Sequence, residues 1–515
     1  GLNILVDCGM EQGNDVYENQ ELPVVASDVD CILLTHAHID HSGLIPLMYV
    51  NGFRGQVYST SATAQLCEIM LRDSAHIQMF EAEWRNRKAA RSGGKLKEFV
   101  PLYDMDAAVN VCKQFVGCEY DKIYNIADGI KIRFTDVGHL LGSASIEVWA
   151  TEKTENGDVT EKIVFSGDIG NINKPIIKDP KHVTDADYVV MESTYGNRSH
   201  GGTPNYVEDL TNIFKRTFER GGNVVIPSFA VGRTQELLYI IRKIKEDNLV
   251  GRDFDVYMDS PLAIEATNIF IKNVESCFDD EAVELVRKGI NPLSFPGLKY
   301  ATTGDESKQI NFDPNPKVII SSSGMCEAGR IRHHLKHNLW RPECTIVFVG
   351  YQAVGTTGRI IVDGAEEIKL FGEPIQIKAE IVQLKGSSGH ADKDGLLCWI
   401  NAFDRKPKKV FVVHGEESVC DEFTECLKEE YGYDAMAPYT GGSYDLIADR
   451  VISEGVKERK TRRTTSTQRG KTVFDRLVAA GKRLMTVITH NEGGTNKDLA
   501  KFTDQINALC DKWDR

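Results

Sequence analysis

No apolar run in the 515-residue sequence approaches the roughly 18 residues that a membrane helix needs, which excludes a helical span. Short-spaced cysteines are also missing. The 12 cysteines are scattered from Cys8 to Cys510 without a single C-x-x-C pair. That pattern excludes a disulfide-stapled scaffold and a cysteine-built zinc site, and it reads as reduced thiols in a cytosol-like compartment, so a cytoplasmic location is expected. Positive charge is in deficit, with 61 Lys and Arg against 75 Asp and Glu and a formal net charge of -14. A polyanionic partner would have to be held by a local basic groove or by bound metal rather than by the field of the whole molecule.

What is present is globular. Hydrophobic residues make up 41% and charged residues 26%, and the length suggests about three domains. Short apolar runs ending in polar residues alternate with helical patterns, the mark of an α/β layered fold. Strands are expected over Cys31–Thr35, Ile130–Val137, Ser143–Trp149, Ile163–Ser166, Tyr188–Met191, Asn223–Pro227, Phe254–Met258, Val318–Ser321, Thr345–Val349, Ile375–Leu384 and Val410–Val413, and helices over Thr234–Lys245 and Ala328–His337. The charged stretch Phe80–Lys97 reads as a solvated helix and loop. Near the end, Lys457–Lys471 is basic, rich in Thr and free of aliphatic residues, so a flexible linker is expected there, followed by a helical appendage.

Chemistry concentrates directly after the apolar run Cys31–Leu34, in Thr35-His36-Ala37-His38-Ile39-Asp40-His41. Three histidines and a carboxylate within six positions supply borderline nitrogen donors and a hard oxygen donor, the mixture that a hydrolytic zinc site uses. The whole chain has only 13 histidines, which makes chance clustering at this spacing a poor explanation. Further donors stand just past other strand-like runs: His139, Asp168 in Ser166-Gly167-Asp168, and His414 in His414-Gly415-Glu416. Each alone reads as an ordinary loop residue. Together they offer enough ligands for two metals in the crevice at the carboxyl ends of strands. Ser323 and Gly324, in Ser321-Ser322-Ser323-Gly324, precede the helix expected to carry Arg330, Arg332, His333 and His334, where backbone N–H groups favour anions and Arg330 could clamp a phosphate.

The His36–His41 motif with Asp7, His139 and Asp168 resembles the metallo-β-lactamase superfamily. Glu192-Ser193-Thr194-Tyr195-Gly196, Ser228-Phe229-Ala230-Val231-Gly232-Arg233, Asp259-Ser260-Pro261-Leu262-Ala263, Ser323-Gly324-Met325 through Arg330, Gly389-His390-Ala391-Asp392 and His414-Gly415-Glu416 are similar, in order, to its β-CASP nuclease branch. The resemblance implies an α/β fold, a metallo-β-lactamase αβ/βα sandwich of two mixed sheets, interrupted by an inserted α/β β-CASP domain. Residues 1–200 would form the first part of the sandwich, 201–365 the insert, 366–440 the second part with an RNA-specificity motif, and 441–515 the linker and appendage. Because the chain opens inside the strand-like run Leu2–Asp7, the first strands of the fold are expected to lie outside it.

The same resemblance implies two Zn2+ ions, one on His36, His38 and His139, the other on Asp40, His41 and His414, bridged by Asp168, with Asp7 orienting a ligand histidine. Such a pair activates water and neutralises phosphoryl oxygens during in-line attack. It brings no proton for the leaving oxygen, and His390, paired with Glu192, is the implied general acid. Ser228, Arg233, Ser323, Gly324, Arg330 and His333 are the implied substrate contacts. The reading is a zinc-dependent ribonuclease acting on single-stranded RNA, endonucleolytic, with a 5′-to-3′ exoribonuclease of ribonuclease J type as the alternative; a homodimer is admitted without being required. Histidine at position 414 favours RNA, since DNA-acting relatives tend to carry an aliphatic residue there. A small-molecule thioesterase or lactonase would share the histidine motif but lack residues 201–365, and a non-catalytic scaffold would have lost ligands that are all present here.

Overall fold

A computed structural model of the chain describes residues 1–10, 22, 24–91, 99–155, 157–199, 201, 205–384, 388–457, 477–478, 480–481, 484–485, 487–489, 491 and 495–513. Strands Ile4–Val6, Cys31–Leu33, Gln56–Thr60 and Phe115–Cys118 form a four-stranded sheet in that order. Every pairing in it is parallel, contrary to the two mixed sheets expected. The reason lies in the connections: long segments separate these strands, including helices Ser61–Arg91 and Met105–Cys112 between the last two, and such crossovers return the chain in the same direction.

The second sheet is mixed and seven-stranded, in the order Ala435–Met436, Lys409–Val413, Tyr188–Glu192, Gly157–Phe165, Ala144–Thr154, Ile130–Asp136 and Tyr124–Ala127. Leu33 and Cys118 from the first sheet meet Phe134 and Ile146 from the second to fill the space between them. Helices Lys393–Ile400 and Glu417–Glu429 cover the outer face, where Trp399, Phe423 and Leu427 pack on Val189 and Val410. The result is a sandwich of helix, sheet, sheet and helix.

Between its two parts sits a separate sheet of six parallel strands: Leu298–Tyr300, Asp255–Asp259, Lys317–Ser321, Val224–Pro227, Thr345–Phe348 and Glu380–Gln383. Its central strands are buried along their whole length, which is why they read as continuous Val and Ile runs rather than alternating ones. Helices Tyr206–Glu219, Arg233–Glu246 and Pro261–Lys272 close one face through Phe214, Leu238 and Phe270, and Ile310, Leu335 and Ile361 close the other.

Three further expectations need correction. The run Ile375–Leu384 is two strands: Glu373–Gln376 forms a hairpin with Glu367–Leu370, whereas Glu380–Gln383 joins the inserted sheet by pairing Ile381 with Ile346. Residues 366–384 therefore belong with the insert, and the chain returns to the sandwich close to His390. The helix expected from Ala328 begins at Ile331, because Gly329 has φ 81°, outside helical space. Finally, part of 441–515 is not linker: Ser443–Asp445 pairs with Arg450–Ser453, and the Tyr188 hydroxyl donates to Leu446 O at 2.6 Å, docking this hairpin on the larger sheet. The helix Asn496–Trp513 is described, while the expected linker beyond Lys457 and the end of the charged stretch, 92–97, lie outside the described residues. Among the described residues no helix is long and apolar enough to cross a membrane.

Candidate metal centre

Asp7, His36, His139, Asp168, Glu192 and His414 all stand at or just past the carboxyl ends of strands from both sandwich sheets, so the fold gathers them on one edge. The chain then turns sharply. Asp7 and His414 adopt φ 56° and 51°, uncommon for non-glycine residues, and are pinned by hydrogen bonds from Asp7 N to Leu33 O and from Ser193 N to His414 O. Gly9 permits the closest approach: a Cβ there would lie 1.4 Å from Asp40 O, so any side chain would push the histidine loop away.

Four donors converge on one point. His36 Nε2 lies 3.0 Å from His38 Nδ1 and 3.3 Å from Asp168 Oδ2, and His139 Nε2 is 3.2 Å from His38 Nδ1 and 3.5 Å from Asp168 Oδ2. The other carboxylate oxygen faces a second group. Asp168 Oδ1 is 3.2 Å from His41 Nε2 and 3.3 Å from His414 Nε2, and Asp40 completes this cluster. His41 Nε2 and Asp168 Oδ1 are buried without a hydrogen-bond partner, an expensive state for two polar atoms facing each other. A cation between the donors satisfies both, so the residues fit a metal in each cluster, and five imidazoles with two carboxylates are the donors zinc takes.

Burial disfavours the charged forms of His36, His139 and His41, and the balance of neighbours then separates them. For His36 and His139, burial and the adjacent imidazoles hold the pKa low, which leaves neutral rings with free lone pairs. At His41, Asp168 and then Asp7 outweigh burial and hold the pKa well above the ordinary value.

Outside the clusters, hydrogen bonds fix which nitrogen faces inward. Asp7 Oδ2 accepts from His41 Nδ1 at 2.7 Å and from the Thr35 hydroxyl at 2.8 Å, while Oδ1 accepts from Thr35 N at 2.8 Å. Thr35 Oγ1 in turn accepts from His36 Nδ1 at 3.0 Å. One carboxylate thereby orients a histidine in each cluster, directly or through Thr35. His139 Nδ1 donates to Gly389 O at 3.2 Å. The spacing of the histidines gives no sign of Thr35 or Gly389 in these roles; adjacency to His36 is the one hint for Thr35.

His390 lies beside the clusters, not in them. Its Nδ1 is 3.2 Å from Glu192 Oε2 and its Nε2 is 3.9 Å from Asp168 Oδ2. Glu192 is itself buried and aligned by Ile169 N, which donates to Oε1 at 2.5 Å. Burial lowers the pKa of His390, but Glu192 and then Asp168 reverse this and lift it to about 9.

The six residues expected to touch substrate fare differently, for all are engaged within the insert. The Arg330 guanidinium donates to Asp259 Oδ1 at 2.7 Å, Ala301 O at 2.9 Å and Thr302 O at 2.8 Å, so the expected phosphate clamp instead fastens neighbouring loops. His334 Nε2 shares the same carboxylate at 2.6 Å. His333 stacks on Phe371 at 4.4 Å. Ser228 is buried and accepts from Thr234, Arg233 pairs with Glu236 at 2.6 Å, Ser323 donates to Ala328 O, and Gly324 O accepts from Gln352. Since the helix starts at Ile331, Ser323 and Gly324 are not at its N-terminus.

A link that leaves no trace in the sequence joins the two domains behind His139. Lys174 is buried, donates to His139 O at 2.7 Å and lies 3.5 Å from Glu236 of the insert, which also holds Arg233.

A two-sheet sandwich with converging imidazoles and a shared carboxylate defines a metal-dependent hydrolase. Residues 1–172 match the metallo-beta-lactamase superfamily domain, 234–361 the Beta-Casp domain and 374–438 the Zn-dependent metallo-hydrolase RNA specificity domain. Ribonuclease TTHA0252 of Thermus thermophilus is 35% identical over 418 residues, covering 81% of this chain and 88% of that protein. The RNase J-like protein of Methanocaldococcus jannaschii is 31% identical over 418 residues, 80% of this chain and 87% of that one. Transcription termination factor FttA of Methanosarcina mazei is 32% identical over 449 residues, and the match spans 84% of this chain but 66% of that relative. The chain belongs to the β-CASP branch of the metallo-β-lactamase superfamily.

Proposed function

We propose that the protein is a ribonuclease that hydrolyses phosphodiester bonds of single-stranded RNA at a pair of zinc ions, cutting within the strand. The observation that carries this reading is Asp168, whose two oxygens face two separate donor clusters at 3.2–3.5 Å, with His390 at their margin. His36, His38 and His139 would hold one ion, Asp40, His41 and His414 the other, and Asp168 both. When bound, the pair supplies an activated water and positive charge against the phosphoryl oxygens.

The rest falls to side chains. Asp7, with Thr35, keeps His36 and His41 in the tautomers whose Nε2 lone pairs face inward. Glu192 keeps His390 protonated near neutral pH, and His390 Nε2, on the cluster side of the ring, delivers that proton to the departing oxygen. The RNA-specificity match over 374–438 includes His390 and His414 and supports RNA as substrate. All 12 cysteines are free thiols, which supports a reducing, cytoplasmic setting.

Incubation of the zinc-loaded protein with single-stranded RNA labelled internally or at the 5′ end tests the reading. Internal fragments from both labels are expected. Stepwise release of 5′ mononucleotides favours the 5′-to-3′ alternative, for which the RNase J-like relative gives a reason. Absence of any RNA cleavage, with the metals bound, overturns the proposal. Sedimentation of the same sample decides whether a homodimer forms.

A further inference from the structure

We propose that Phe229 is a stacking platform for a nucleobase of the bound RNA strand, an inference that rests on the ribonuclease reading and adds a recognition residue to it. Strand Val224–Pro227 lies between Lys317–Ser321 and Thr345–Phe348, all three parallel. Their following loops, containing Phe229, Gly324 and Gly350, therefore emerge side by side at the carboxyl edge of the inserted sheet, where open α/β sheets receive ligands.

Within its loop Phe229 is the exception. Ser228, Ala230 and Val231 are buried, whereas Phe229 is 43% exposed. The ring is nevertheless held in place. A Cβ on Gly324 would come 3.0 Å from Cδ2 and 3.1 Å from Cε2 of Phe229, and one on Gly350 would come 3.6 Å from Cε2. The Cδ2–Cε2 edge of the ring thus lies close to both glycines, while the residue keeps its large exposure. A singly exposed phenylalanine needs no explanation in itself. A ring whose edge lies against two glycines is different, because it presents an aromatic surface that loses less rotamer freedom on binding than a fully free side chain.

Its position connects it to the reaction. Farther along the same loop, a Cβ on Gly232 would lie 3.1 Å from Leu140, the residue after His139. Only Ala230 and Val231 stand between Phe229 and Gly232, so the loop that carries the ring also touches the residue next to His139. Tyr351, half exposed directly after Gly350, continues the aromatic rim. Stacking suits a strand of varied sequence, since every base offers a π face, and the protein's net charge of -14 leaves little long-range attraction to do that work.

The test compares the zinc-loaded full chain with Phe229→Ala and Phe229→Trp on a single-stranded RNA cut at one linkage, and on the same RNA made abasic at single positions around that linkage. Phe229→Ala is expected to lower kcat/KM by about 10- to 100-fold, the usual worth of one stacked base. Phe229→Trp restores it, and both variants keep wild-type metal content. Removing the base at one position should cost the wild type a similar factor and cost Phe229→Ala nothing more. The proposal is overturned if Phe229→Ala stays within twofold of wild type, or if every abasic penalty is the same size in both proteins. If wild type carrying both metals fails to cut RNA at all, the ribonuclease reading falls and this inference with it.

Discussion

Replacing Asp7 by Asn changes one atom and reverses a hydrogen bond. In the native protein the carboxylate accepts three donors, Thr35 N at 2.8 Å, the Thr35 hydroxyl at 2.8 Å and His41 Nδ1 at 2.7 Å. Asn keeps the first bond through its carbonyl oxygen, but its NH2 then stands where Oδ2 accepted. Facing a donor, His41 Nδ1 must give up its proton, which moves the hydrogen to Nε2, the atom 3.2 Å from Asp168 Oδ1. A ring with hydrogen on Nε2 cannot offer that lone pair to a cation. Losing an orienting partner of this kind costs about 10- to 100-fold in metal affinity, or about 1.4–2.7 kcal/mol. The loss should be larger at the Asp40, His41 and His414 cluster, whose histidine contacts Asp7 directly, than at the His36 cluster, which Asp7 reaches through Thr35. Titration of the metal-free protein with zinc against a chelator of known affinity would resolve two binding steps, one weakened more than the other. Two unchanged steps, or a loss confined to the cluster of His36, His38 and His139, would refute the reasoning.

Other substitutions separate chemistry, pH response and domain contact. His390→Ala should keep both metals while slowing RNA cleavage by roughly 10²–10⁴-fold, as loss of a general acid does; loss of metal, or a wild-type rate, removes that role. Burial lifts Asp136 to about 7 despite the hydrogen bond it accepts from Gly138 N. Its folded-state pKa exceeds the unfolded value near 4, so the folded chain holds the proton across that interval and stability falls as pH rises from about 4 to about 7, by at most about 1.4 kcal/mol per unit. Asp136→Asn should therefore gain in thermal stability relative to wild type between pH 5 and pH 7 and gain nothing further above about pH 8; a constant difference across that range contradicts the assignment. Lys174→Met breaks the buried link from His139 O to Glu236 and should destabilise the chain by about 3 kcal/mol in denaturant unfolding, whereas a change below 0.5 kcal/mol would show that Arg233 alone satisfies Glu236.

Much of the candidate metal centre is legible because its donors sit at strand ends and carry a spacing that ordinary loops do not. His36, His38, Asp40 and His41 announce themselves, and His139, Asp168 and His414 gain meaning by standing after apolar runs. The insert was harder. Its motifs could be recognised as a resemblance, yet the partners of Arg330 are Asp259, Ala301 and Thr302, between 28 and 71 residues away in sequence, and no local pattern reports such a pairing. The strand Glu380–Gln383 escapes local reading for a related reason: its apolar pair Ile381 and Val382 marks a strand, but only the pairing with Thr345–Phe348 says in which sheet. Thr35, Lys174 and Phe229 belong to common residue types in unremarkable positions. Their significance comes from one neighbour each, His36, Glu236 and Gly324, and the last two are distant in sequence.

The central claim is that seven side chains bind two metals and that these metals perform RNA cleavage. Elemental analysis of the wild type and of His38→Ala, with cleavage of internally labelled single-stranded RNA measured on the same samples, tests it most directly. Two zinc ions per wild-type chain with internal RNA products are expected, and loss of bound metal together with loss of cleavage in the variant. A variant that retains both ions, or that cleaves RNA at the wild-type rate, would contradict it.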